Sequence, residues 1–494
     1  MAPSAIDAGT TPSGSTARLL AANSVWQMAS FAARAVSGLG AVVILARSDG
    51  PETLGAFQFA LVLTALLPYY LGLPSLLARE VARKPEDARR WIEAGILIAV
   101  VAGAGFSLLL AVGARAVGAS EETALAISLA SIGMAFDGVA RVEFAAFWAW
   151  ERMGLEATVT ALQEAAFLVG VLVVVGSGGG VAGALVAFSA SRALGAVVGW
   201  GLVAHRLRAW PVPRGTAQFL RSTVIRSTPF AVNDTLTLTY MRADAVLLGI
   251  LKGPTAVGLY QAGTNLVLNL NVVARSINRS FYPRMSRAWP DQAQAFRRLR
   301  ETSLRTIGLI AMPVTVGSFL LAPETFAFLY GPEFAPAVVT YQVLVLVIPV
   351  RMIGNTISLA LVATDRQRAR MVAVTGAAAL NLVLNLCLIP RWSYLGAAVA
   401  TVISEVSLLV VYGALLQQVA GPAHLLQALR VPTVATVPMG VAIIAMSGSG
   451  LLVSAGVGAV VYLAALAALA VGQASGVPGL RPRAAMVGLV RSTT

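Results

Sequence analysis

The chain is a succession of apolar runs, most of them long enough to cross a bilayer, separated by short polar breaks. A membrane helix needs about 20 consecutive apolar residues, and the runs predict about fourteen helices. They lie near 19–46, 54–77, 92–114, 123–150, 155–175, 181–204, 227–251, 256–282, 304–330, 336–362, 370–389, 394–418, 431–447 and 450–472. Little of the 494 residues is left for a domain outside the membrane. Only 12% of residues are charged, 57% are hydrophobic, and the mean hydropathy is +0.78, whereas a soluble globular chain carries about 25% charged residues. The fold class is therefore all-α and polytopic, and a soluble enzyme is excluded.

The formal charge of +14 would suggest nucleic acid in a soluble protein, but here the placement of the charges gives them another meaning. With the N-terminus in the cytoplasm, the outer loops hold only Arg47, Arg115, Lys252 and Arg391. Seven arginines fall inside spans, and the remaining basic residues all fall on the inner side. That asymmetry is the positive-inside pattern, so no nucleic-acid partner is needed to explain the excess. An even number of spans returns the C-terminus to the cytoplasm as well. Residues 1–18 read as a disordered tail rich in Ser, Thr, Gly, Pro and Ala, and the first run is too long for a signal peptide. Cys387 is the single cysteine; with His205 and His424 it forms no metal-ligand spacing. No Gly-Lys-Ser/Thr phosphate loop is present, which argues against direct ATP use. No cofactor or metal is expected.

The sequence also repeats itself. Gly50-Pro51, three residues, then Gly55-Ala56-Phe57-Gln58 matches Gly253-Pro254, three residues, then Gly258-Leu259-Tyr260-Gln261. Gly183-Ala184-Leu185-Val186-Ala187 with Ser191-Arg192 matches Gly396-Ala397-Ala398-Val399-Ala400 with Ser404-Glu405 at a similar offset. Both pairs place an outer loop before an even-numbered span, which predicts two six-helix units of the same orientation, a parallel repeat. The expected organisation is a tail at 1–18, a first lobe at 19–204, a cytoplasmic linker at 205–226, a second lobe at 227–418, two further spans within 419–472 and a tail at 473–494.

Charged and polar groups inside spans face a bundle interior or an aqueous cavity, because facing lipid is costly. In the first span Asn23, Gln27, Ser30 and Arg34 fall on one helical stripe, which suits either an anionic ligand at Arg34 or a hydrogen-bonded interface with a neighbouring helix. In the fourth span Asp137 and Arg141 are spaced for an intrahelical ion pair. Glu143 and Glu164 lack a local partner, and pairing with an arginine of another span is expected. The seventh span sets Asn233, Thr237 and Asp244 on one stripe with Arg242 roughly opposite. The eighth carries Asn265, Asn269 and Arg279 on one face and Arg275 and Asn278 on another. The tenth brings Arg351, Asn355 and Ser358 beside Pro349. Arg192 and Glu405 occupy matching repeat positions with opposite charge, which raises a cross-lobe ion pair as an expectation. Seven intramembrane arginines, against two lysines in the whole chain, predict a cationic lumen.

Taken in order, Leu45-Ala46-Arg47, Gly50-Pro51-Glu52, Gly55, Leu71-Gly72-Leu73 and Ala78-Arg79-Glu80-Val81-Ala82-Arg83 resemble the start of the Wzx-type polysaccharide flippases of the multidrug/oligosaccharidyl-lipid/polysaccharide (MOP) superfamily. Pro229-Phe230, Asp244, Leu247-Leu248-Gly249, Gly258-Leu259-Tyr260, Phe281-Tyr282-Pro283, Asn381, Asn385, Ile389-Pro390 and Gly396-Ala397-Ala398-Val399-Ala400-Thr401 continue the resemblance through span 12. It implies two six-helix lobes around a central cavity, in the bacterial inner membrane, and alternating access that flips a polyprenyl-diphosphate-linked oligosaccharide outward. Guanidinium groups bind diphosphate bidentately at any working pH, so Arg34, Arg275, Arg279 and Arg351 are the expected substrate contacts, with Asn23, Gln27, Asn265, Asn269 and Asn355 lining the path. Asp244, at an acidic position often seen in such proteins, together with Asp137, Arg141 and Arg242, is expected in coupling or gating, with H+ or Na+ as a coupling ion. The resemblance also implies membrane lipid and a polysaccharide polymerase and export proteins as partners. A peptidoglycan-precursor (lipid II) flippase is the alternative. A multidrug/cation antiporter fits less well, since its cavity would need acidic residues.

Overall fold

The structure is a computed structural model. It describes the backbone of residues 14–67, 69–207 and 215–474, and within them all side chains except those of 14–21, 240, 269–276, 279 and 472–474. Among these residues fifteen α-helices follow one another: α1 Gly14–Ala65, α2 Leu73–Arg83, α3 Ala88–Ala116, α4 Glu121–Ala149, α5 Met153–Gly176, α6 Gly180–Leu207, α7 Ala217–Lys252, α8 Pro254–Ala288, α9 Ala293–Leu320, α10 Ala322–Leu329, α11 Ala337–Val345, α12 Val347–Ala363, α13 Gln367–Ala420, α14 Leu425–Ala445 and α15 Leu451–Ala474. A helix satisfies every backbone polar group within one segment, which is what a chain crossing hydrocarbon requires.

Ten candidate membrane-spanning segments are found among the described residues. Two of these, within α1 and α13, run 44 and 54 residues and bend at Gly50 and at Ser393, so each supplies two crossings. The helices α7 and α8 are 36 and 35 residues long but carry too many polar groups to qualify on hydropathy. Large apolar side chains such as Leu108, Val173, Val197 and Val460 lie exposed, the surface of a multi-pass membrane protein.

The chain divides into two compact units, Met1–Val246 and Leu247–Thr494. The first unit buries a continuous core of α2, α3, α4, α5 and α6, including Leu73, Leu76, Ile92, Ile96, Val142, Phe147, Val159 and Val203, against which Phe219, Leu220 and Val224 of α7 pack. Residues 217–226, expected as linker, are therefore the first turns of α7. Thr216 caps them by accepting from the Phe219 amide at 3.3 Å, and their apolar side chains have a core to join. Residues 14–18, expected as disordered tail, open α1; 1–13, 208–214 and the tail from 475 lie outside the described residues.

The second span also departs from expectation. Its helix stops at Ala65 and restarts at Leu73, with Leu71 and Gly72 at φ 46° and 67°. A Cβ at Gly72 would overlap the Ala231 backbone of α7, so only glycine fits. Irregular backbone at membrane depth is tolerated where protein covers it, and Tyr69 in this break is buried, edge-on to Phe106 of α3 at 5.7 Å.

In the second unit, α9 packs along α14 through small residues. Leu429 and Pro432 sit over Gly308, and Met439 sits over Gly317. The Tyr462 hydroxyl of α15 donates to the Leu309 carbonyl at 2.9 Å. The repeat is visible in the backbone. Gly50 has φ 74°, ψ −171° and Gly253 has φ 82°, ψ −178°, and each is followed by a proline opening a helix, as Pro at the first helical position prefers.

Candidate functional site

The polar side chains of the first unit form a connected set along α1, α4, α5 and α6. Its hub is Glu156 near the start of α5, a residue that sequence reasoning passed over because it reads as a loop-flanking acid. Its buried carboxylate accepts from Gln27 Nε2 at 2.7 Å and Trp148 Nε1 at 2.6 Å and pairs with Arg34 at 3.4 Å. Arg34 also donates to Thr160 Oγ1 at 3.1 Å, and Asn23 donates to the Glu151 carbonyl at 3.1 Å. The stripe Asn23, Gln27, Arg34 is thus a seam joining α1 to α5, extended by Ser37 donating to the Glu164 carbonyl at 3.0 Å. Arg34 nevertheless keeps 46% of its side chain exposed, so one edge of its guanidinium is held while the rest is open.

One helix over, Arg141 and Asp137 form the expected intrahelical pair at 2.7 Å. Arg141 lies over the Tyr70 ring at 5.4 Å, which ties the break in the second span to this pair, and 47% of its side chain is exposed. Asp234 of α7 lies within Coulombic reach of Tyr70, and Asn233 and Thr237 beside it are exposed. Asp244 is half-buried, its Oδ1 accepting from the Ala245 amide at 2.8 Å. Arg242 is half-buried with no ion pair among the described residues. Glu164 finds an arginine, as expected: it pairs with Arg192 of α6 at 2.9 Å, and the Gln163 amide oxygen, turned to satisfy both groups, accepts from Arg192 at 2.6 Å.

In the second unit Arg351 pairs with Glu405 at 2.7 Å. The cross-lobe pair expected of Arg192 and Glu405 is therefore corrected: each is matched inside its own unit, where the closest opposite charge projects from a neighbouring helix. Asn278 accepts from Thr356 at 3.0 Å and Ser303 at 3.4 Å, holding α8, α9 and α12 together. Asn265 and Asn355 are half-buried on α8 and α12. The side chains of Asn269, Arg275 and Arg279 lie outside the described residues. Glu143 also overturns its expectation, being fully buried with neither carboxylate oxygen hydrogen-bonded. No ion pair to Glu143 is found among the described residues, and Val139, Ala140, Val142 and Phe147 of α4 are buried beside it.

At the polar end of the first unit, Glu80 of α2 accepts from Arg226 of α7 at 2.6 Å and from Arg79 at 3.0 Å. Arg226 lies over Trp91, and Arg90 lies over Phe219 at 4.0 Å. Burial pushes the Glu80 carboxyl up, but the two guanidinium groups outweigh it and hold it below its ordinary value. In the second unit Arg300 of α9, fully buried, donates to the Gly421 and Pro422 carbonyls at 3.1 and 2.6 Å, capping the end of α13.

Two protein-family models match this chain: Polysaccharide biosynthesis protein over residues 20–289 and Lipid II flippase MurJ over residues 236–466. A curated relative, the probable flippase AglR of Haloferax volcanii, is 29% identical over 175 residues, 34% of this chain and 36% of that protein. The alignment thus spans about a third of the relative's length. Among solved structures, the lipid II flippase MurJ in an inward closed conformation is similar, with a TM-score of 0.73 at 15% identity over 89% of this chain and 97% of that one. An inward-facing multidrug resistance MATE transporter of the MOP superfamily follows, with a TM-score of 0.62 at 13% identity over 78% and 94%. The fold is that of these transporters.

Proposed function

Because this chain belongs to the polysaccharide biosynthesis protein family, we propose that it is a flippase that carries a polyprenyl-diphosphate-linked oligosaccharide from the inner to the outer leaflet of the bacterial inner membrane. The cargo is the repeat unit of an O-antigen, capsule or exopolysaccharide, and transport runs by alternating access. The observation that carries the reading is the pair Arg34 and Arg141, membrane-embedded arginines each held at one edge by a carboxylate and about half exposed. An exposed guanidinium at that depth meets water or an anion rather than acyl chains. A carboxylate on one edge fixes the fork and leaves its other donors to a diphosphate, which binds bidentately. Arg351, Arg275 and Arg279 extend the contacts in the second lobe. Asn23, Gln27, Asn265, Asn269 and Asn355 line the path for sugars, and the isoprenoid tail stays in lipid. Asp244, Asp137 and Arg242 act in gating, driven by an H+ or Na+ gradient. The arginine asymmetry supports cytoplasmic termini, and a polymerase and export proteins take the flipped product.

The second reading, a flippase of the peptidoglycan precursor lipid II, is favoured by the family-model match over residues 236–466 and by the shared fold. Mass spectrometry of polyprenyl-linked glycans, with leaflet accessibility, in cells depleted of this protein separates the two. A complete lipid-linked repeat unit accumulating on the cytoplasmic side supports the first reading, and lipid II accumulating instead supports the second. An unchanged lipid-glycan pool overturns both.

A further inference from the structure

Glu143 is an acidic group for which the transport reading has no use. It lies on the face of α4 turned about 200° from Arg141, among Val139, Ala140, Val142 and Phe147, all buried. It is 0% exposed, and both carboxylate oxygens lack a hydrogen-bond donor. Its place is made by the facing helix. A methyl at Gly199 of α6 would overlap the carboxyl group, so the glycine leaves a recess that the acid fills.

On the surrounding elements His205 and Arg206 lie exposed in the last turn of α6, and the following groups are paired elsewhere. Arg34 on α1 and Glu156 on α5 pair with each other, as do Glu164 on α5 and Arg192 on α6. Glu80 on α2 is matched by Arg226, Glu93 on α3 by Arg89, and Asp137 by Arg141 on α4 itself. None of them donates to Glu143. An isolated carboxylate in such a recess is far costlier than the neutral acid, and a protonated carboxyl supplies its own hydrogen.

We propose that Glu143 is a proton-binding site of the N-terminal lobe, occupied while α4 and α6 are packed and emptied to water only when that seam opens. The proton leaves as the seam parts and must be regained before it closes, so closure of the seam consumes a proton from the side to which it opened. The site is distinct from the exposed Asp137–Arg141 edge of the same helix, and it stands whichever lipid-linked cargo the protein carries.

The test uses the purified full-length protein and needs no transport readout. Infrared difference spectra of wild type against Glu143→Gln at neutral pH are expected to show a protonated-carboxyl carbonyl band that the variant lacks; carboxylate bands in its place overturn the proposal. Hydrogen exchange in peptides of α4 and α6, corrected for the intrinsic rate, is then compared between about pH 6 and pH 9. Wild type is expected to exchange about tenfold faster at the alkaline end, while Glu143→Gln stays flat. Parallel profiles for the two proteins refute the coupling. Glu143→Met, an apolar residue of similar volume, is expected to fold with wild-type yield and the same flat profile. Failure of the Met variant to fold while the Gln variant folds would show that the acid serves as a hydrogen-bonded strut and would overturn the proposal.

Discussion

Replacing Glu156 by alanine tests the seam between α1 and α5. The carboxylate accepts from Gln27 at 2.7 Å and Trp148 at 2.6 Å and pairs with Arg34 at 3.4 Å. In a soluble core each donor stranded by its loss would cost about 1–3 kcal/mol. In a helical bundle within lipid the average is nearer 0.6 kcal/mol, because the unfolded-in-membrane state also finds partners. The Trp148 and Gln27 bonds are short and end on a charged acceptor, so they lie toward the upper range. Arg34 is half exposed, and its share is at most about 1 kcal/mol. The expected total for Glu156→Ala is about 2–4 kcal/mol, read by equilibrium unfolding of the purified protein in mixed micelles. Glu156→Gln, which keeps an acceptor oxygen and loses the charge, should cost roughly half as much. Arg34→Ala should cost less than either, since Gln27 and Trp148 still hydrogen-bond the buried acid and Arg34 is half exposed. A Glu156→Ala variant within about 0.5 kcal/mol of wild type, or an Arg34→Ala variant less stable than it, would refute this account of the seam.

Arg141→Ala, with protein levels unchanged, is expected to slow glycan-lipid flipping at least about tenfold, the worth of about one charge-assisted contact; leaflet-resolved mass spectrometry reads it, and unaltered export would remove Arg141 from the path. Gly72→Ala puts a side chain at φ 67° against the Ala231 backbone, and beyond the overlap the backbone alone costs about 1–2 kcal/mol, so a lowered melting temperature and yield are expected. Glu80 is held below its ordinary value of 4.5, so its stabilising contribution is complete above that value and is lost as pH falls through the lower folded value. Glu80→Gln should therefore flatten the acid limb of a melting-temperature profile as pH falls below 4.5, and an unchanged limb would dismiss the Arg226 contact as a source of stability. Arg300→Lys, one point donor in place of a fork, should lose one of the two carbonyl bonds to Gly421 and Pro422, about 1–3 kcal/mol, in the same unfolding assay.

The spans were legible because hydropathy and length act locally: α3 to α6 begin and end within a few residues of their apolar runs. The break between Ala65 and Leu73 escapes a reading by hydropathy, since Leu66, Leu67 and Leu71 keep the run apolar; Pro68 and Gly72 are the local signals that mark it. Duplication was readable at Gly50 and Gly253 because a positive φ before a proline admits almost nothing but glycine. At the candidate site the periodicity placed Gln27 and Arg34 on one stripe and Asp137 beside Arg141, both properties of a single helix. Which carboxylate meets Arg34, and that Glu143 meets no cation, depend on helix neighbours that no local pattern encodes. Arg192 and Glu405 show the same limit, since matching places in a repeat leave open which helix each side chain reaches.

The small-residue seam on α9 has a consequence for any shortened form of this protein. Gly308 and Gly317 are filled by Leu429, Pro432 and Met439 of α14, while Tyr462 of α15 occupies the Leu309 carbonyl. Cutting the chain after α13 would not trim an ornament from a finished bundle. It would expose a notched, partly polar flank of α9 to acyl chains that fit it poorly, and would take away the carbonyl of Pro422 that Arg300 holds. The last two helices are thus the outer wall of the second unit, and a transporter reduced to twelve spans by deletion would need a smoother ninth helix before it could stand in lipid.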